Sequence, residues 1–438
     1  MAGGTWTTQN KVRPGAYINI KSAAQALGAA GDRGIVSLPL ILSWGPAKQV
    51  ITVEAGEDVS VKLGYPISDP SLLLVREALK RAKTLLLYRL NTGTKASVVS
   101  GNLTATAKYG GVRGNDLTVR IAVNVDNATL FDVTTLLAGV EMDKQTVANI
   151  GALKANDWVV WTGTGALAAT AGAPLIGGAN GTVTAQEYLD YLSAIEVLEV
   201  NTIGLPATDA ATKAVFVSFV KRLREDEGKK IQVVVENYPA ADYEGVISVK
   251  NGVILTDRTV LTAAQTVAWV AGATAGAQMN QSLTYAAYDD AVDVTPKYTN
   301  SQIIAALQAG ELVFTGSGGK AVVEQDINTL HTFSPEKGKA FAKNRVLRVL
   351  DGINNDFRQI FADFYTGKVS NNADGRNLLK NEYSTYLETL QGIEAIQNFD
   401  AQKDLTVSEG NDLDAVVSEL YVQPVDSMEK LYLTITVS

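Results

Sequence analysis

Thr184-Ala185-Gln186-Glu187, followed at helical spacing by Tyr188, Leu192, Ile195 and Leu198, opens the stretch that decides the fold. The Thr hydroxyl and the Glu carboxylate of such a series can each satisfy a backbone N–H of the other residue, a capping box that starts a helix. A strand near Thr202 to Leu205 follows, then a helix from about Asp209 to Glu227, then the apolar run Ile231-Gln232-Val233-Val234-Val235. Strand, helix and strand in this order argue for a three-layer α/β core.

Upstream, Ile35 to Trp44 reads as a buried strand punctuated by Gly34, Pro39 and Gly45. Ser71 is the expected N-cap of a helix from Leu72 to Lys83. Thr84-Leu85-Leu86-Leu87-Tyr88-Arg89-Leu90 is apolar on both faces and fits a central strand of a covered sheet. Between these segments and Thr184 the texture changes. Residues 96–183 are rich in Gly, Thr, Asn and Ala, with short alternating runs such as Leu117 to Val123 and frequent turn signals. That pattern predicts an inserted β-sandwich, with one short helix around Lys144 to Lys154.

Downstream, Asn251-Gly252 is the pair that favours a type I′ hairpin. A small-residue helix from Thr262 to Ala277 would allow close packing. Helical patterns then run over 335–353, 356–365 and 375–396, with strand-like runs at 403–407, 415–422 and 430–437. The expected fold class is thus mixed α/β and multidomain. A three-layer core spans 23–95 and 184–334, the sandwich 96–183, and a C-terminal α+β domain 335–424. Extended arms cover 1–22 and 425–438.

Composition bounds the function. The 438 residues carry a net charge of −8, 46% hydrophobic and 19% charged residues, no cysteine and one histidine, His331. Disulfides, thiolate metal sites and cysteine nucleophiles are excluded, as is any centre needing two imidazoles. An acidic chain lacks the basic surface that releases counterions from nucleic acid, so no nucleic-acid partner is expected. No apolar run is long enough to insert into a membrane, and Met1 to Trp6 carries no secretory signal. The cluster Lys221-Arg222 with Arg224, followed by Glu225-Asp226-Glu227, reads as a solvated helix end.

No catalytic constellation emerges. Gly316-Ser317-Gly318-Gly319-Lys320 resembles a phosphate loop, but Phe314 replaces its first glycine and Ala321 its magnesium-binding hydroxyl. It reads as a hairpin tip. Asp289, Asp290 and Asp293 lack the spacing of a calcium loop and read as an acidic solvated loop. No catalytic, cofactor-binding or metal-ligating residue is assigned, and no cofactor is expected.

The termini remain. Pro14-Gly15-Ala16-Tyr17-Ile18-Asn19-Ile20 is a short extended run. Lys430-Leu431-Tyr432-Leu433-Thr434-Ile435-Thr436-Val437 alternates, with Leu431, Leu433, Ile435 and Val437 on one face. A strand with unpaired edges either completes its own domain's sheet or adds to a sheet in another copy.

In this order the segments resemble the contractile tail sheath proteins of bacteriophages and phage-derived particles, including R-type bacteriocins and defective prophages of the compact Gram-positive type. The resemblance rests on Arg13-Pro14-Gly15-Ala16-Tyr17-Ile18, on Gly31-Asp32-Arg33-Gly34-Ile35-Val36 leading to Ser43-Trp44-Gly45, and on residues 107–117 entering the sandwich. It also rests on Asn344-Arg345-Val346-Leu347 and on residues 422–431. It implies a non-enzymatic subunit that stacks as hexameric rings in a helix around an inner tail tube protein. Baseplate and tail terminator proteins would be further partners, and assembly would take place in the bacterial host cytoplasm. Pro14 to Ile20 would be the N-arm and Lys430 to Val437 the C-arm that join neighbouring copies. A different self-assembling protein, such as a capsid or surface-array subunit, and an α/β enzyme with an inserted β domain are the alternatives.

Overall fold

The computed structural model describes residues 2–4, 15–17 and 33–437. They fall into two compact units, one formed by Asp32–Asn355 with Pro424–Ser438, the other containing Asp356–Gln423. The first unit is built on a seven-stranded sheet ordered Glu311–Leu312, Val246–Val249, Gln232–Glu236, Thr202–Gly204, Ile35–Leu40, Thr84–Arg89 and Val50–Glu54. All neighbours are parallel except the edge strand Val50–Glu54.

Helices cover both faces. Val234 points into one core with Leu38, Leu87 and the helix Ala263–Gly276, while Val233 and Val235 point into the other with Tyr191, Phe216 and Val220. A strand buried on both sides has no polar face to spare, hence its continuous apolar reading. The three-layer α/β core is therefore present. Thr184 caps the helix Ala185–Glu196 through the expected box with Glu187, and those hydrogen bonds pull the Glu187 carboxyl down to about 2. The small-residue helix is also found. An added Cβ at Gly272 would stand 2.2 Å from the Ala78 carbonyl oxygen, so only glycine lets the helix Leu73–Leu79 approach this closely.

The β-sandwich pairs a four-stranded sheet, Val140–Val147, Phe131–Leu137, Leu117–Val123 and Thr170–Pro174, with a three-stranded one, Val159–Gly163, Leu103–Ala107 and Ser97–Ser100. Trp44, from the chain after Ile35–Leu40, inserts into the sandwich core, stacking on Trp158 at 5.4 Å and meeting Tyr109 edge-on at 5.4 Å. Arg89, fully buried at the end of Thr84–Arg89, donates to the carbonyls of Gly45 and Gly110, both at 2.6 Å. Burial without a carboxylate beside it pushes Arg89 down to about 10. These two side chains fasten sandwich to core.

Five local expectations are corrected. No helix forms over Lys144 to Lys154; the chain makes strand Val140–Val147, laddered to Phe131–Leu137, then a single turn Ile150–Ala152. Asn251-Gly252 makes no hairpin, because Val246–Val249 and Gly252–Leu255 belong to different sheets. The Asn251 amide instead bonds the backbone of Phe314, in the separate strand Phe314–Ser317, accepting from Phe314 N at 2.8 Å and donating to Phe314 O at 2.9 Å. Asp69, not Ser71, accepts the capping bond ahead of Leu73–Leu79. Of the basic helix end, Arg222 is solvated, but Arg224 is only 3% exposed and forms a two-bond pair with Asp351 at 2.6 and 2.8 Å. The two helical patterns around residue 354 merge into one helix, Asn344–Ile360, closed by the π-helical turn Phe361–Tyr365.

In the second unit the helix Ala373–Gly392 packs on an antiparallel hairpin, Leu405–Glu409 with Val416–Leu420. Phe357 stacks on Tyr383 at 3.7 Å, and the Tyr386 hydroxyl donates to Asp356 at 2.6 Å.

Candidate functional site

The glycine-rich run and the acidic cluster take structural roles in the fold. Gly318 and Gly319, with φ of +57° and +75°, form the tip of a hairpin between Phe314–Ser317 and Lys320–Val323, as the sequence predicts. Asp289 is paired with Arg81 and accepts from the Trp269 indole, Asp290 lies 3.5 Å from Lys80, and Asp293 is paired with Lys297. Each carboxylate of that cluster already faces a cation. Among the described residues no group of carboxylates and imidazole could hold a metal ion.

The chain terminus is different. Residues 430–437 form no strand and take part in no backbone ladder among the described residues. Leu431, Leu433, Ile435 and Val437 are 86, 70, 76 and 89% exposed. The alternating pattern that reads as a strand thus has no partner strand among the described residues. Backbone N–H and C=O groups need partners before a strand can exist, and here none is supplied. Of the N-terminal run, Gly15–Tyr17 is a strand paired in parallel with Ala2–Gly4; Pro14, Ile18, Asn19 and Ile20 lie outside the described residues.

What the sequence does not reveal is the anchor at the root of the C-terminal segment. The Glu429 carboxylate accepts from Thr284 Oγ1 at 2.8 Å, from Gln325 Nε2 at 2.6 Å and from Lys343 Nζ. Asp426 stands 3.8 Å from the same Lys343. Burial raises the Glu429 pKa, but the hydrogen bonds from Lys343, Gln325 and Thr284 outweigh it, leaving a net fall below the ordinary value. The segment is therefore held at Glu429 and leaves the surface one residue later. No periodicity marks a single glutamate of this kind; only the convergence of residues 284, 325 and 343 does.

Because the folded pKa lies below the unfolded one, this anchor contributes fully above the ordinary glutamate range and is lost as pH falls through the folded value. Glu429→Gln removes the charge that Lys343 faces and is expected to cost about 2 kcal/mol locally. Amide protection at residues 425–430, taken relative to the intrinsic exchange rate at each pH, should fall in the variant at neutral pH, and in the wild type only on acidification. Unchanged exchange in the variant would mean that the anchor does not hold the segment.

Comparison with known proteins identifies the architecture. Four family models match in chain order: the tail sheath protein Gp18 domain III N-terminal region over 33–90, the phage tail sheath protein beta-sandwich domain over 91–180, the phage tail sheath protein central domain over 181–329, and the phage tail sheath C-terminal domain over 336–438. The crystal structure of a sheath tail protein from Desulfitobacterium hafniense is 66% identical and superposes with a TM-score of 0.88, covering 96% of this chain and 99% of that one. A sheath tail protein from Listeria innocua is 43% identical, with a TM-score of 0.81 over 93% of this chain and 96% of that one. The phage-like element PBSX protein XkdK of Bacillus subtilis (strain 168) is 43% identical over the full length of both chains. The chain belongs to the phage tail sheath protein family, a family of structural tail proteins.

Proposed function

We propose that this chain is the subunit of a contractile sheath: copies stack as hexameric rings in a helix around an inner tube, and the sheath contracts to drive that tube through a target cell envelope. The observation that carries the reading is the segment Lys430–Val437, exposed and alternating in apolar residues, with no ladder partner among the described residues and leaving the surface from a fixed point at Glu429. Such a strand is suited to addition to a sheet in another copy, where main-chain bonds supply affinity and side-chain pockets supply register. Pro14 to Ile20 acts likewise at the other end. The arms serve as connectors and hinges while the domains move as rigid bodies.

Under this reading the arms span 1–22 and 425–438, the core 23–95 and 184–334, the sandwich 96–183 and the C-terminal domain 335–424. The inner tube, baseplate and tail terminator proteins are its partners, and assembly takes place in the bacterial host. The subunit performs no covalent chemistry: the work of contraction is the free-energy difference between two packings of one sequence.

Negative-stain microscopy of the concentrated full chain tests this directly. Hollow, transversely striated tubes are the expected result. A protein that stays monomeric at every concentration would remove the proposal.

A further inference from the structure

Taken in chain order, the parallel strands Ile35–Leu40, Thr84–Arg89, Thr202–Gly204, Gln232–Glu236 and Val246–Val249 lie side by side as second, first, third, fourth and fifth. The chain therefore reverses its direction of winding between Ile35–Leu40 and Thr202–Gly204. In open α/β sheets such a reversal leaves a crevice outside the carboxyl ends of the strands, and ligands bind there. Here that place holds a cleft of about 300 Å³, at the low end of the range for ligand pockets. It is lined by Leu40, Ile41 and Leu42 at the end of the first strand, by Leu74 of the helix Leu73–Leu79, and by Tyr188 and Pro206.

Among the described residues nothing in the lining is charged. The helices that begin beside the cleft already close their own N-termini. Asp69 accepts from Ser71 N at 2.8 Å, Asp209 accepts from Thr212 N at 2.7 Å, and Thr262 forms a capping box with Gln265. A helix N-terminus attracts an anion through free N–H groups. Here one N–H of each is taken, and two of the three caps are carboxylates. Burial, and after it the charge of Asp209, hold the Tyr188 hydroxyl above its ordinary pKa, so that negative charge is felt at the lining itself. The strand order suits a ligand, but the charges disfavour a phosphate or a carboxylate.

One polar group is left over. Gln265 lines the cleft, and its Oε1 accepts from Thr262 N at 2.9 Å to complete the box. Its Nε2 has no hydrogen-bond partner among the described residues and is left to donate.

We infer that this cleft binds a small neutral ligand with an apolar body and one hydroxyl or carbonyl oxygen, the oxygen accepting from Gln265 Nε2 and the body lying against Leu40, Ile41 and Leu74. The site is independent of the sheath reading, because its occupancy is read on the subunit whether or not the chain polymerises.

Ligand-detected NMR titration of the full chain tests this with 2-phenylethanol as the neutral probe, and phenylacetate and flavin mononucleotide as anions. The alcohol should bind saturably, one per chain, at about millimolar concentration, as a ligand of about ten non-hydrogen atoms allows. Phenylacetate should bind at least about tenfold more weakly. Ile41→Trp, at a position 58% exposed, puts an indole into the cleft and should abolish binding while the melting temperature stays unchanged. Val99→Trp, at a position 70% exposed in the sandwich, adds the same indole elsewhere and should bind as the wild type does. Gln265→Glu keeps an oxygen for the capping box but loses the donor, and should weaken binding by about tenfold. Wild-type binding in Gln265→Glu would overturn the role given to that amide. No saturable binding of the alcohol, equal binding of either anion, or unchanged binding in Ile41→Trp would overturn the site as a whole.

Discussion

A chain ending at Glu429 is expected to fold as the full-length protein does and to form no long tubes. The reason lies in how little residues 430–437 touch. Leu431, Tyr432, Leu433, Ile435 and Val437 lie almost wholly in solvent, and the last tethered side chain of the segment is Glu429 itself. Cutting after Glu429 therefore removes little buried surface from the subunit, and its melting temperature should stay where it was. In a polymer the same residues would bury one aliphatic stripe. Each of four such side chains is worth about 1.5–3 kcal/mol gross, before the cost of ordering the segment and immobilising the partner. Since 1.4 kcal/mol is a factor of ten, loss of the stripe should raise the concentration needed for assembly by roughly a hundredfold or more. Sedimentation of both chains across a concentration series reads this out. Equal assembly by the truncated chain would sink the role given to Lys430–Val437. A lowered melting temperature would show instead that the segment completes its own domain.

Asp351→Ala is expected to lose about 3–5 kcal/mol of stability in the larger unit, because it leaves a buried guanidinium without its counter-charge. Arg224 is 3% exposed and also donates to the Ile231 carbonyl at 3.0 Å. Burial alone would pull its pKa down; the Asp351 carboxylate reverses that and holds it above its ordinary value. Folded proteins are stable by only about 5–15 kcal/mol, so the loss is a large share of the total. A fall in Tm on the order of 10 °C should be seen by calorimetry. The double replacement Arg224→Met with Asp351→Leu should recover most of it, since apolar pairs of similar volume often replace buried ion pairs at no net cost. A single variant as stable as the wild type would mean that water reaches Arg224 when Asp351 is gone.

Thr184 and Asn251 differ in how far away the partners of their side chains lie. Thr184-Ala185-Gln186-Glu187 acts through bonds three residues long, so its capping box was readable and is present. Asn251-Gly252 carries an equally strong local signal, yet the amide is drawn to Phe314, 63 positions away, and the chain crosses between two sheets instead of turning back. Where a buried donor and acceptor across the fold offer satisfaction, a turn propensity worth less gives way. The same holds for Lys144 to Lys154, where a ladder partner in Phe131–Leu137 overrides a helical pattern.

The sequence by itself determined the periodic features: a sheet apolar on both faces, a small-residue helix and an alternating inserted domain; the terminal alternation of Leu431, Leu433, Ile435 and Val437 is legible too, but forms no strand among the described residues. Each is a repeat along the chain, and burial imposes such repeats on any residues that share a face. Only the tertiary structure decided the single-residue features. In sequence Arg224 is one charge in a solvated run; in the fold it is buried and paired with Asp351, 127 positions on. Arg89 and Trp44 fasten the sandwich to the core, and Glu429 fixes where the terminal strand departs. These contacts have no period to be read, because each is made once, between residues that meet only after the chain has folded.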